Sequence, residues 1–359
     1  MNSLEYPKSQ KIFFTLASLV LIIWIMKAGA VILIPLVWGA FFAFALYPLA
    51  NWLEERKIPR ALAIALTLAL VTSLAASVLY VLTDQVIGLI TDIPEIKTSF
   101  EAKVSSYFEQ IEALFGLEAS LTTDFDFFSQ SNLEATLVET GKSLVLLGVI
   151  PLFIFLMLYY KDFFWEFLKK LSRNNQPPLL DFIKDSGAVI QSYLLGMLMV
   201  TGIVSVMSGI VFYFLGIKYF ILFAVFIAVM NLIPYVGVIL SSLLLVLYVL
   251  LTTDSLFYPL ATLLLLWLIQ LIENNLITPV VVGAKVRVNA FAVILAILLG
   301  GFIWGVSGMI LFIPMTGLLK IIFERIPSLA PYGYLLGDEY PVIEKHENYF
   351  KMLFKRKAK

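Results

Sequence analysis

Glu273 is a carboxylate in an apolar stretch, where a charge is costly. It directly follows the apolar run 256–272, and Gln270, Glu273, Asn274 and Asn275 place four polar side chains within six residues. Helical spacing of i, i+3 and i+4 puts Gln270, Glu273 and Asn274 on one face. Pro279 is expected to break the helix just beyond them and leave backbone carbonyls available. A carboxylate inside a membrane segment marks a pathway, a proton relay or a partner. The other reading is an ion pair with Lys285 or Arg287 that pins the helix end, and such a pair could itself be a gate. Asn231, beside Pro234 and Gly237, is a second candidate, either for contact with a solute or ion or as a helix cap.

Other chemistries are excluded by residue type. There is no cysteine, and the one histidine, His346, lies in the polar C-terminal tail. Thiolate chemistry, haem, zinc and histidine-based catalysis therefore fall away. No phosphate-binding glycine loop and no Gly-x-Ser-x-Gly occurs, which leaves no basis for ATP hydrolysis or covalent catalysis. The formal net charge is zero, so nothing points to nucleic acid. No enzyme activity, cofactor or metal is expected.

Composition specifies the solvent. Hydrophobic residues make up 61% of the 359, charged residues only 14%, and the mean hydropathy is +0.95. A soluble domain is about a quarter charged, and here the apolar residues cluster in long runs. An all-α integral membrane protein with about eight membrane segments and a helical extramembrane segment is expected. Lys8, Lys11 and Ala28-Gly29-Ala30 imitate a signal peptide, but a second apolar run starts at Val31, so residues 12–27 read as a retained first span. Residues 31–50 and 61–82 complete a three-span frame, 1–82. Residues 83–140 carry 11 acids and two bases, Lys97 and Lys103. Ile93, Ile96, Phe100, Val104, Phe108, Ile111 and Phe115 recur in that segment at helical spacing, so an amphipathic extramembrane cap is expected. The stretch 141–190 holds a fourth span and an interfacial helix from Lys161 to Lys170 with interleaved aromatics and lysines. A core over 191–325 follows, then a basic tail, 326–359.

The positive-inside rule orients these elements. Lys8, Lys11, Arg56, Lys57, Arg60, Lys161, Lys169, Lys170, Arg173 and Lys184 fall on one side, and the acidic segment falls on the other. Both termini are then cytoplasmic and 83–140 is outside.

Two apolar runs are too long for one crossing. A straight helix over 219–251 would be about 50 Å long, against a hydrocarbon core of about 30 Å. Its middle reads Asn231-Leu232-Ile233-Pro234-Tyr235-Val236-Gly237. The run 290–323 is broken by Gly300, Gly301, Gly305 and Gly308. Each is expected to be two helical arms joined by a turn, either re-entrant or fully spanning. The four glycines are expected to permit close packing. Phe223–Ala228 and Phe291–Ala296 form a faint repeat before each break, and the assigned orientation makes the two hairpins enter from opposite sides. Paired, broken, opposed elements are the architecture of many secondary transporters.

The motifs Asn231-Leu232-Ile233-Pro234-Tyr235-Val236-Gly237, Glu273-Asn274-Asn275-Leu276-Ile277-Thr278-Pro279, Gly300-Gly301 through Gly305, Gly308-Met309 and Ile313-Pro314 resemble, in order and spacing, the autoinducer-2 exporter family of bacterial permeases. The resemblance implies a multi-pass transporter of the bacterial cytoplasmic membrane, with lipids around it and further copies of itself as partners in a homo-oligomer. It implies export of a small polar solute, or sodium or lithium/proton antiport with Glu273 as the coupling residue. A non-transporting scaffold or sensor built on the acidic segment is the alternative from another class.

Overall fold

The computed structural model describes residues 7–115, 148–171, 177–282 and 288–339. The described residues are almost wholly helical. The helices are α1 (Lys8–Ala28), α2 (Ala30–Glu55), α3 (Arg60–Phe115), α4 (Gly148–Tyr159), α5 (Lys161–Leu171), α6 (Pro177–Phe214), α7 (Phe220–Met230), α8 (Val236–Thr252), α9 (Phe257–Ile272), α10 (Thr278–Val281), α11 (Ala290–Arg325) and α12 (Ala330–Leu336). No strand is among them; one isolated bridge joins Val288 to Gly337. Five helices are long and apolar enough to cross a membrane, and six if α4 and α5, bent by 58° at their junction, count as one span. That count is of the described residues; the expected eight segments also include the shorter apolar helices Phe13–Ala28, Phe220–Met230 and Val236–Thr252, which fall below that length.

Two expected boundaries differ. The chain was expected to leave its third span at residue 82, yet α3 runs on to Phe115 without interruption, even through Pro94. The change from apolar to acidic composition alters what the helix faces, not its backbone hydrogen bonding. The helical reading of 93–115 holds, and the rest of the acidic segment, 116–140, lies outside the described residues. Pro177 and Pro178, read as a breaker before the fifth span, instead open α6, because proline is tolerated in a first turn whose N–H groups lack helical partners anyway. Nearly all of the basic tail, from residue 340, and the start of the fourth span, 141–147, also lie outside the described residues.

The first overlong run is a helical hairpin, α7 and α8 joined by residues 231–235. A Cβ on Gly237 would fall 1.8 Å from the carbonyl oxygen of Met230, so glycine is what lets the arms meet. Tyr235 takes φ 63°, uncommon for a non-glycine residue. The second run, α11, also folds back. Trp304 and Gly305 leave helical geometry, with Gly305 at φ 60°. A Cβ on Gly308 would lie 2.0 Å from the carbonyl oxygen of Gly300, and one on Gly300 would lie 2.3 Å from that of Gly308. Eight residues of straight helix would separate these glycines by about 12 Å. The start of α11 is tied to α12: the Asn289 side chain caps α11 through Ala292 N–H and donates to the carbonyls of Leu335 and Gly337.

The N-terminal helices clothe these hairpins. Ile303, Trp304 and Leu311 form a buried cluster against Ile23, Met26, Leu33, Ile34 and Trp38 of α1 and α2. The Trp304 indole N–H donates to the Met26 carbonyl at 2.9 Å. At one end of the molecule Lys161 pairs with Glu54 at 2.8 Å and Arg60 with Asp162, joining the α2–α3 link to the α4–α5 junction. These basic groups, expected on one side, do share one end. At the other end the extension of α3 grips the first hairpin. Asp92 accepts from Lys218 at 2.6 Å and from the Tyr219 hydroxyl at 2.7 Å. Lys103 donates to the carbonyls of Leu250 and Thr253, both at 2.7 Å, capping the C-terminus of α8. The hydrogen bond to Asp92 raises the Lys218 ammonium above its ordinary pKa, so the pair stays charged at neutral pH.

Replacing Gly308 by alanine is expected to cost roughly 1–3 kcal/mol through overpacking. Gly202→Ala, where a Cβ meets no atom within 4 Å, is expected to be neutral. Thermal unfolding in detergent checks both, and equal melting of the two variants would contradict the fold-back.

Candidate functional site

The site begins with a departure from helical periodicity. After α9 the helix widens into a π-turn over Glu273–Ile277, in which the Thr278 N–H bonds to the Glu273 carbonyl, before α10 continues through Pro279. The break expected at Pro279 is therefore a wider turn in a continuing helix. Such bulges are rare and occur frequently at functional sites. In a regular helix a residue five positions on lies well round the cylinder. The wider turn brings Thr278 back over Glu273.

The Glu273 side chain is buried, with 6% of its surface exposed. One carboxylate oxygen accepts from the Gln270 amide at 2.7 Å, and the other accepts from the Thr278 hydroxyl. Both partners are neutral, and among the described residues no cation pairs with this carboxylate. Lys285 and Arg287, the candidates for an ion pair or gate, lie outside the described residues. Of the expected face, Gln270 and Glu273 come together. Asn274 is exposed instead, because the π-turn rotates it away. Thr278 was missed because its role depends on the i+5 register, which no local residue pattern announces.

Helix α6 is the shared wall of this region. A Cβ on Gly196 would fall 2.9 Å from Cα of Val282, so glycine allows α6 to seat against the end of α10. Val200 and Val204 of α6 are buried with Ala228 of α7 and Ile269 of α9, and Ile277 packs on that cluster. One turn before Gly196, Tyr193 packs on a second cluster made by Ile233, Ile297 and Ile313. Ile233 comes from the tip of the first hairpin, and Ile297 and Ile313 come from the two arms of the second. The hairpins thus share a buried cluster, and α6 touches both that cluster and the helix carrying Glu273.

The remaining candidates take distinct places. Asn231 ends α7 with its side chain half-buried and without a hydrogen-bond partner among the described residues. Pro234 and Gly237 form the first tip. Gly300 and Gly308 make the second hairpin's backbone contact, Gly301 lies against the Met309 side chain, and Gly305 supplies the positive φ. Close packing, the role expected for these glycines, is what Gly300, Gly301 and Gly308 perform.

Loss of the Thr278 hydroxyl in Thr278→Val removes a donor to a buried carboxylate and is expected to cost roughly 1–3 kcal/mol. Asn274→Ala, on the exposed side, should stay within about 0.5 kcal/mol of the parent. Melting curves of the two variants in one detergent decide this, and a larger effect at Asn274 would contradict the π-turn geometry.

The whole arrangement can be set beside known proteins. Residues 12–328 match the model of the AI-2E family transporters. The chain is 25% identical to YrrI of Bacillus subtilis, covering 81% of this chain and 85% of that protein. It is 27% identical to YueF of the same organism, covering 82% and 84%. Both carry the name "Putative transport protein". It is also 22% identical to the AI-2 transport protein TqsA of Escherichia coli K12, covering 91% of this chain and 96% of that protein. With that match spanning nearly its whole length, on a multi-pass helical fold, the chain belongs to the AI-2E family of transporters.

Proposed function

We propose that this protein is a gradient-driven permease of the bacterial cytoplasmic membrane that exports a small polar solute, with residues 191–325 as its transport core. One observation carries the reading. A buried carboxylate, Glu273, sits in a π-turn with only neutral donors around it among the described residues, on a helix that packs on the same face of α6 as the two hairpins. Membership of a transporter family favours this over the scaffold or sensor reading.

The hairpins are read here as re-entrant. Helix α7 has 11 residues and so reaches about 16 Å, roughly half of the 30 Å core. Helix α8, with 17 residues, reaches about 26 Å, so the short first arm is what supports a hairpin that starts beside Lys218 and Asp254 and turns inside the membrane. Broken helices at that depth leave polar backbone facing a protected path. The homo-oligomer and the cytoplasmic placement of both termini belong to the same reading and rest on the family resemblance and on the distribution of basic residues.

The same carboxylate favours a second reading, sodium or lithium/proton antiport with Glu273 as the coupling residue. Glu273→Gln keeps the shape, removes the charge and exchanges one of the two acceptor oxygens for a donor. In proteoliposomes under a proton gradient the variant is expected to lose proton-coupled flux by at least tenfold. Sodium, lithium and autoinducer-2 offered as competing substrates separate the two readings. Absence of flux of any solute under any gradient, with the parent protein, would overturn both.

A further inference from the structure

A cavity of about 320 Å³ lies at the end of the molecule where α3 grips the first hairpin. Its wall comes from three places that the sequence keeps far apart: Asp92, Glu95 and Ser99 of α3, Lys218 in the α6–α7 turn, and Tyr248 to Tyr258 across the α8–α9 link. None of these groups takes part in the Glu273 site. We infer that this cavity binds a small organic cation, an ammonium of the size of choline or putrescine.

Charge comes first. The lining holds three carboxylates, Asp92, Glu95 and Asp254, and one ammonium, Lys218. Lys218 is committed to Asp92 at 2.6 Å. Glu95 and Asp254 remain, and neither side chain has an ion-pair or hydrogen-bond partner among the described residues. The lining is net negative by two charges, three acids less one base, and still negative by one when the Lys103 ammonium, held on the carbonyls of the lining residues Leu251 and Thr253, is counted; that field favours an approaching cation.

Tyr248 is the independent observation. Its side chain is 91% removed from solvent, with 9% exposed, and it lines the cavity. Its ring packs on Phe223 at a tilt of 42°, with centroids 4.7 Å apart, and is held there. Its hydroxyl has no hydrogen-bond partner among the described residues and is not sealed from solvent. A phenol in a mostly buried side chain normally finds a partner, and here the cavity is the space in which it can. Tyr258 adds a second ring at the rim. Carboxylates beside fixed aromatic faces are the recognition chemistry of ammonium groups.

Size and polarity narrow the class. The volume falls in the range of small-molecule sites and is far larger than a dehydrated metal ion requires. A neutral polyol would offer Glu95 and Asp254 no opposite charge. An anion would meet the net negative wall. The site does not depend on the permease reading, because binding can be measured without flux.

The test is titration calorimetry on the full-length protein in nanodiscs, with choline chloride, putrescine dihydrochloride, glycerol and sodium chloride as probes. Choline or putrescine should bind saturably. The double variant Glu95→Gln, Asp254→Asn should weaken that binding at least tenfold, and Tyr248→Phe at least threefold. Glu273→Gln should leave it unchanged, so that a failed transport assay and a failed cavity remain distinguishable. The inference is overturned if neither amine saturates, or if glycerol or sodium competes as well as the amines. It is equally overturned if the double variant binds like the parent, or if Glu273→Gln abolishes binding. The exposed positions of Glu95 and Asp254 keep the double variant folded, and its melting curve is the control.

Discussion

Lipid hydrocarbon offers no hydrogen bonds, so every interruption of a membrane helix must be enclosed by protein or face a wet path. The C-terminal half of this chain contains three such interruptions: the turn at 231–235, the reversal at Trp304 and Gly305, and the π-turn at Glu273–Ile277. Much of the remaining architecture answers to them. Helices α1 and α2 cover the second hairpin, down to a hydrogen bond from Trp304 to the Met26 carbonyl. The extension of α3 holds both ends of the first hairpin through Asp92 and Lys103. Helix α6 seats at Gly196 against the end of α10, just beyond the π-turn. Frame and core are therefore one system, in which the frame supplies the enclosure that the broken helices need.

That enclosure also shapes the surroundings of Glu273, the residue proposed to couple transport. A buried carboxylate balanced by a lysine or arginine would be locked, since separating such a pair leaves two uncompensated charges. Hydrogen bonds from Gln270 and Thr278 hold the carboxylate in place without neutralising it. A proton or a cation arriving there has no resident cation to displace among the described residues. The π-turn adds to this, because it bends Thr278 onto the carboxylate that Gln270 already reaches from α9, and Asn274 faces outward.

Much of this was legible in the sequence, for identifiable reasons. The tips at Asn231–Gly237 and Gly300–Gly308 announce themselves because proline and glycine act through local backbone sterics, which do not depend on context. Glu273 stands out because a charge in an apolar run has few innocent explanations. What stayed hidden depends on tertiary contact. Nothing local says that the helix of α3 continues past residue 82, since acidic and apolar residues support helix about equally well. Lys103 reads as one of two stray bases until α8 ends beside it. Thr278 and Gly196 matter only through the i+5 register and the approach of α6, and both are properties of the packed molecule.

The central claim is that two hairpins enter from opposite faces and turn inside the membrane. The chain lacks cysteine, so a single introduced thiol reports on one position without background. Tyr235 and Val306 are exposed residues at the two tips, with Asp254 and Asn289 near the respective hairpin ends. The direct measurement is labelling of each single-cysteine variant in sealed vesicles by a membrane-impermeant maleimide applied from one side at a time. The account predicts that Asp254→Cys labels only from the outer face and Asn289→Cys only from the inner face. It predicts that each tip is not labelled, from the face opposite its own hairpin's ends, at the rate of a loop position. Fast labelling of Tyr235→Cys from the face that labels Asn289→Cys would make the first hairpin a full crossing and contradict the account.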